Sequence, residues 1–345
     1  MNQLKNLSHF FIASFAIVVI LIYGQSLLIP LVISFLLWFI IKQIRSFIEL
    51  VPIIQKKVPM WLKNLFSTAI LLVAINTLLS IVLHNVKLMS GSYQKYQQNT
   101  DVILAKLNQE ISPELLQKIS EFFLNFDFAN ALISFFDYST AILINVFLVI
   151  VYVLFFILEE YTFLQKLKMI FPNQEKQSTV LVTLKEIESS ISKYLGLKTL
   201  MSLVTGALSY LVLWIMGVDF PVFWSFVIFL MHYIPNVGSL IATLFPAIFS
   251  MLQFGTILPG IWVFFWISSI EFLVGNLLEP KLMGNSVNLS PLIILLSLSF
   301  WGSIWGITGM LLSVPIMAII VIILSKFPKT KPIAILLSAN GIPEK

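Results

Sequence analysis

The chain has 345 residues, 59% of them hydrophobic and 11% charged, against roughly 25% charged in an ordinary soluble domain. A soluble fold could not hide so much apolar surface, so the composition predicts an all-α polytopic membrane protein. The net charge of +5 comes from lysines scattered between apolar runs, which points to positive-inside topology and away from nucleic acid.

The absence of Cys removes disulfides, thiolate ligands and cysteine nucleophiles, and three scattered His speak against a zinc cluster. Two apolar runs, 10–23 and 27–48, predict a helical hairpin about Gly24, Gln25 and Ser26. The first run is followed by no small-x-small site, so it reads as a span and not a cleaved leader. Pro30 is expected in the first turn of the second arm, where proline is tolerated. Lys42, Arg45, Lys56, Lys57 and Lys63, opposed only by Glu49, place the next loop in the cytoplasm. A third span over 65–86 completes a set of N-terminal membrane helices, 1–86.

Residues 87–137 carry four Lys and six acids, with Phe122, Phe123, Phe126 and Phe128 in an amphipathic pattern. They predict a small extracytoplasmic helical insert. A fourth span covers 138–158. Residues 159–198 hold six Lys and five acids and read as a cytoplasmic amphipathic linker. Val180, Leu181, Leu184, Ile187, Ile191 and Leu195 fall at helical spacing there. That face suits either the inner leaflet or the protein's own transport domain.

Residues 199–325 form the expected transport core, and 326–345 a cytoplasmic tail with Lys326, Lys329, Lys331 and Lys345. The fifth span is 199–216 and a clear later one is 258–278. Between them, 220–258 is interrupted by Pro235 and Gly238, among others. The run 289–324 is interrupted at 301–306. Each broken run predicts either a kinked, tilted helix or a re-entrant hairpin. The total is about eight transmembrane helices, with broken or re-entrant segments near 234–239 and 300–306 and both termini cytoplasmic. The Phe and Trp excess is assigned to lipid contact and interface anchoring, with Trp38, Trp61, Trp214 and Trp224 near span ends.

Irregular backbone at membrane depth survives only where it is buried in protein or lines a cavity, and transporters bind ions and solutes at such breaks. Pro235, Asn236 and Gly238 therefore mark a candidate site, with His232 one turn before. Glu271 lies inside an apolar span, where a carboxylate costs about 3 kcal/mol on insertion scales. It needs a partner, a cavity or a proton, or it pins helices together. Glu279 and Lys281 flank Pro280. Asn276, Glu279, Asn285, Ser286 and Asn288 line either a vestibule or an ordinary loop. Asp219 beside Gly217 and Pro221 reads as a helix-end turn and as a weaker coupling candidate. Gly302, Gly306 and Gly309 have the spacing that lets helices approach closely. No phosphate-binding loop, nucleophile elbow or His-x-x-x-His pattern accompanies these residues. No catalytic group, metal or cofactor is expected, Glu159-Glu160 included.

Four runs together carry a resemblance. They are Ile234-Pro235-Asn236-Val237-Gly238-Ser239, Asn276-Leu277-Leu278-Glu279-Pro280-Lys281-Leu282-Met283-Gly284, Leu289-Ser290-Pro291-Leu292, and Phe300-Trp301-Gly302 followed by Gly306 to Pro315. In order and spacing they resemble the autoinducer-2 exporter family, also called PerM-like, most clearly over 196–323. The resemblance implies about eight spans, a bacterial inner-membrane location and a homo-oligomer, a pentamer in some members. It implies export of autoinducer-2, a small polar furanone-type molecule, for some members and sodium or lithium/proton antiport for others. Carried to matched positions, it makes Pro235, Asn236 and Gly238 a shaped break and Asn276, Glu279, Pro280 and Gly284 a signature. Asn236 stands where relatives often have an aromatic residue.

The expected function is a secondary transporter or exporter of a small polar solute or monovalent cation, exchanged for protons. The titrating group would be Glu271 or Glu279. The expected partners are that solute or cation, the proton, membrane lipid and further copies of the chain. The alternatives are a passive oligomeric channel and a membrane scaffold that binds a partner through 87–137 or 159–198.

Overall fold

The computed structural model describes residues 2–110, 128–171, 173–283 and 287–341. All regular structure among them is helical. The order is α1 (Asn2–Tyr23), α2 (Gln25–Ile48), α3 (Pro52–Lys57), α4 (Met60–Glu110), α5 (Phe128–Ile170), α6 (Gln174–Ile215), α7 (Pro221–Met231), α8 (Val237–Phe254) and α9 (Ile257–Phe272). A π-helical stretch (Leu273–Leu278) follows, then α10 (Glu279–Met283), α11 (Pro291–Ser325) and α12 (Lys331–Leu337). Among the described residues six stretches are long and apolar enough to cross a bilayer. These are Gln25–Ile48, Met60–Leu78, Gln174–Ile215, Val237–Phe254, Ile257–Leu282 and Pro291–Ser325. The chain is thus an all-α, multi-pass membrane protein. The third span runs without a break into the insert as far as Glu110 in α4. Phe122, Phe123 and Phe126 lie outside the described residues.

The helices group into two compact units. The first comprises 1–67, 144–196 and 285–345, and the second 68–143 and 197–284.

In the first unit, α2 starts earlier than its apolar run. The Gly24 carbonyl accepts from Leu27 and Leu28, which begins the helix at Gln25. Pro30 therefore lies in the second turn, inside the helix, and not in the first turn. The amphipathic part of α6 packs against protein: Ile187, Ile191 and Leu195 are buried. Lys42 of α2 is only 9% exposed and sits between Glu188 at 2.8 Å and Glu160 at 3.0 Å. Its ammonium also lies 3.9 Å over the Trp38 ring. Lys326 pairs with Glu186. This stretch of α6 thus makes partly buried ion pairs to α2 and to Lys326 of the tail.

The run 289–324 is a helical hairpin and not one kinked helix. Ser297 Oγ donates to the Ser313 carbonyl at 3.1 Å, whereas sixteen residues of unbroken helix would separate them by about 24 Å. The reversal sits on one residue, Gly306, at φ 61° and ψ −143°, a region essentially reserved for glycine. Trp301 and Trp305 remain helical, so the expected break at 301–306 narrows to its last position. Trp305 Nε1 donates to the Leu21 carbonyl at 3.0 Å, which holds the tip of the hairpin beside the end of α1. A Cβ at Gly306 would meet open space, so the cost of Gly306→Ala is purely conformational. It is expected to be about 1–3 kcal/mol, read as a lower melting temperature in detergent.

The second unit is built on another hairpin. Gly217, at φ 67°, ends α6, and Val218 N–H reaches back to the Leu213 carbonyl at 2.9 Å, closing a Schellman-type cap. Pro221 then opens α7 at a position where its missing N–H is harmless. α7 and α8 lie antiparallel, with Trp224 and Phe249 ring centroids 5.1 Å apart. At their open end Gln253 Nε2 donates to the Gly217 carbonyl at 2.8 Å, and Gln253 Oε1 accepts from Asp219 N–H at 2.6 Å. Phe223, Trp224, Ile228, Phe249, Val263 and Ile267 fill the core between α7, α8 and α9. Trp224 is 2% exposed and is a core residue, which corrects its assignment as an interface anchor. Trp61 and Trp214 are exposed.

Candidate functional site

The closed end of the α7–α8 hairpin positions the first group. α7 stops at Met231, and the His232 N–H still bonds the Ile228 carbonyl at 2.9 Å. The chain then turns through Tyr233, Ile234, Pro235 and Asn236 before α8 begins. Gly238 packs directly on the Met231 carbonyl, which tightens the turn and leaves His232 buried at 5% exposure. Twelve residues of helical rise put His232 about 18 Å along the hairpin from its open end.

α9 supplies Glu271, which is 7% exposed. At 100° per residue of α-helix, Glu279 would lie about 80° round from Glu271. The intervening Leu273–Leu278 segment is π-helical. Its wider turn advances fewer degrees per residue and brings the two carboxylates back toward one face. Such π segments recur at functional sites. Here it lets one imidazole face both acids. His232 Nδ1 lies 3.0 Å from Glu271 Oε2, and Nε2 lies 3.4 Å from Glu279 Oε2. Lys198 Nζ donates to Glu279 Oε1 at 2.6 Å from the opposite side. Next to Lys198, Thr199 Oγ1 accepts from Tyr233 Oη at 2.6 Å. Glu271 Oε1 and His232 Nε2 have no hydrogen-bond partner among the described residues, so Nε2 meets Glu279 at ion-pair distance only.

The result is a buried chain, Glu271–His232–Glu279–Lys198, in an apolar setting. With a neutral imidazole it carries one net negative charge, and with an imidazolium it is neutral. An imidazole with a carboxylate at each ring nitrogen can accept a proton on one side and release it on the other. A buried charge imbalance is costly.

Three of the residues singled out in the sequence, His232, Glu271 and Glu279, meet here. The others do not. Asn276 is exposed on the π-helical stretch. Asp219 sits at the open end of the hairpin, where it accepts from Tyr96 Oη at 3.1 Å. Pro235 is half-buried and Asn236 exposed in the turn, and Pro280 is exposed in α10. Gly302 and Gly309 belong to the α11 hairpin together with Gly306. Asn288 clamps the tail, donating to the Gly341 carbonyl at 2.6 Å. Gly284, Asn285 and Ser286 lie outside the described residues. Lys198 escaped the sequence reading because it stands at the head of the apolar run 199–216, where a lysine ordinarily marks a cytoplasmic flank. Its 3% exposure is a property of the packed helices.

The sequence model of the AI-2E family transporters matches residues 10–329. The chain belongs to that family. Relatives of the AI-2E chain include a protein of Haemophilus influenzae that is named for transport, 32% identical over 93% of this chain and 94% of its own. A Borreliella burgdorferi protein, also named for transport, is 37% identical over 59% of this chain and 55% of its own. The AI-2 transport protein TqsA of Escherichia coli is 40% identical over 43% of each chain. The alignment thus spans about half the length of two of these relatives and nearly all of the third. AI-2E membership makes the chain a multi-pass transport protein of the inner membrane and not an enzyme.

Proposed function

We propose that the chain is a secondary transporter that exchanges a small polar solute or a monovalent cation for protons, coupled through Glu271, His232, Glu279 and Lys198. The observation that carries this reading is the buried His232 with a carboxylate at each ring nitrogen. The charge balance favours it: the cluster is neutral with one bound proton or one bound monovalent cation, and exchange between the two is antiport. The cargo follows by analogy only. The name of TqsA points to autoinducer-2, and the resemblance in sequence adds sodium and lithium.

The membrane arrangement belongs to the same proposal. Eight crossings are made by α1, α2, the first part of α4, 138–158 of α5, the second half of α6, α9 and the two arms of α11. α7 and α8 form a re-entrant hairpin, since the 11 residues of α7 rise only about 16 Å, half of a hydrocarbon core. An even number of crossings puts both termini on one side, and the flanking lysines favour the cytoplasm. Homo-oligomerisation, as a pentamer, is carried over from the family and is checked by native mass spectrometry.

Purified protein in liposomes under an imposed pH gradient tests the coupling. Sodium, lithium or labelled autoinducer-2 is added, and lumenal pH and uptake are read together. Glu271→Gln and Glu279→Gln are each expected to slow coupled proton movement by about a hundredfold or more, the scale of a lost proton-transfer group. Folded variants with unchanged pH-dependent flux would rule out these carboxylates as the coupling groups. Flux that never runs against a gradient would instead favour a passive pore.

A further inference from the structure

α6 and α9 run antiparallel in the second unit, and their ends are fixed. Lys198 meets Glu279 at one end, while at the other Gln253, just before α9, bonds Gly217, just after α6. At 1.5 Å per residue, Thr205 lies about 10 Å from Lys198 and Glu271 about 12 Å from Glu279, so the two share a level. Ser202 lies between that level and Lys198. Ser209 lies one turn nearer Gly217.

Ser202, Thr205 and Ser209 have no exposure at all, and none of their hydroxyls has a partner among the described residues. Ser67 and Ser192 are also buried without a partner, but many helix hydroxyls in this protein bond their own backbone. Thr77, Ser225, Thr243 and Ser269 each donate to the carbonyl four residues back. Lys198, Ser202, Thr205 and Ser209 are spaced i, i+4, i+7 and i+11, which is one helical face. Glu271 Oε1, buried and unpartnered, is a second and independent open acceptor at the same depth. Unpaired buried polar groups are costly and are ordinarily satisfied by ordered water. Successive hydroxyls rise about 4.5–6 Å, a gap that one water making two hydrogen bonds of about 2.8 Å can bridge.

We infer that the α6 face formed by Ser202, Thr205 and Ser209 is a hydrated track that leads protons to Glu271. It approaches from the Gly217 end, the outer end in the orientation proposed above. The ligand is water and the cargo a proton. The charged and titratable groups on the elements around the track are Lys198 of α6, His232 and Tyr233 of the hairpin turn, Glu271 of α9, Glu279 of α10 and, at the Gly217 end, Asp219 with Tyr96. The proton role rests on the coupling reading given above, whereas the hydration does not.

The chain has no cysteine, so Ser202→Cys, Thr205→Cys and Ser209→Cys each create a single thiol. Leu203→Cys and Leu208→Cys, at exposed positions of the same helix, are the controls. Hydrogen peroxide is close to water in size, so it reaches the fully buried positions 202, 205 and 209 only along a hydrated path, and it oxidises the thiolate that hydration allows to form. Rates at 205 and 209 are expected to exceed those at 203 and 208 by about tenfold, following the thiolate fraction. Equal rates overturn the track. Thr205→Val keeps the shape and removes the hydroxyl. It is expected to slow proton movement in liposomes about a hundredfold, the low end for a lost proton-transfer group. Reactive thiols with an unaffected Thr205→Val, in a protein that Glu271→Gln disables, overturn the proton role and leave the coupling site intact. Reactive thiols with an unaffected Glu271→Gln overturn the coupling reading and leave the hydrated face standing.

Discussion

Gly309→Ala is expected to destabilise the protein by about 3 kcal/mol, the upper end of ordinary overpacking. A Cβ at Gly309 would lie deep inside van der Waals distance of the Trp301 carbonyl oxygen and carbon. These atoms belong to the backbone of the opposite arm of the α11 hairpin, so no rotamer change can relieve the clash. The arms must separate, and the Ser297–Ser313 bond is lost with them. Gly302→Ala is the control. Its Cβ would meet only the flexible Met310 side chain, with Cε at 2.9 Å and Cγ at 3.0 Å, so it is expected to cost clearly less. Thermal unfolding in detergent separates the two. Equal melting temperatures would mean that the arms do not approach this closely. Gly238→Ala meets the Met231 carbonyl in the same way and is expected to displace His232 as well. It should therefore lower transport along with stability.

Lys198→Met is expected to cost about 3–5 kcal/mol, because it leaves the Glu279 carboxylate buried without its cation. Lys198 is 4% exposed and Glu279 18%, so solvent replaces only part of the lost partner. Glu279→Gln alone strands the lysine and should be similarly harmful. The double variant removes both charges and is expected to recover much of the loss, since a buried pair contributes little net stability once both members are gone. Denaturant titration of the four proteins gives the coupling energy directly. Additive losses would show that Lys198 and Glu279 act independently, and the chain that starts at Glu271 would then end at Glu279.

Much of the site could be read one residue at a time. Glu271 stands out as an acid in an apolar run, and Pro235 with Gly238 announces a break. His232 precedes that break by less than a turn. None of these features states that the three side chains touch. His232 and Glu271 are separated by 39 positions, and their meeting depends on how tightly α7 folds back on α8. The π-helical stretch that turns Glu279 toward the same imidazole has no signature in Leu273–Leu278. Lys198 was hidden for a different reason. The positive-inside rule explains a lysine at a span edge so readily that a buried role leaves no trace in the sequence.

The α11 run makes the same point for the fold. Apolar periodicity along 289–324 is identical for a kinked helix and for two arms in contact, and only the φ of Gly306 and the Ser297–Ser313 bond separate them. Trp224 was misplaced because nearness to a span end does not distinguish a ring at the lipid interface from one inside a hairpin core. Composition and apolar run length alone determined that the chain is helical, crosses a membrane several times and is interrupted near Pro235 and Gly306. Bilayer insertion responds to hydrophobicity summed along a segment, and breaks respond to local backbone chemistry. Which polar groups meet, which rings are core and which way the interrupted helices fold were decided by tertiary packing. Those outcomes depend on contacts between residues far apart in the chain, and no local pattern encodes them.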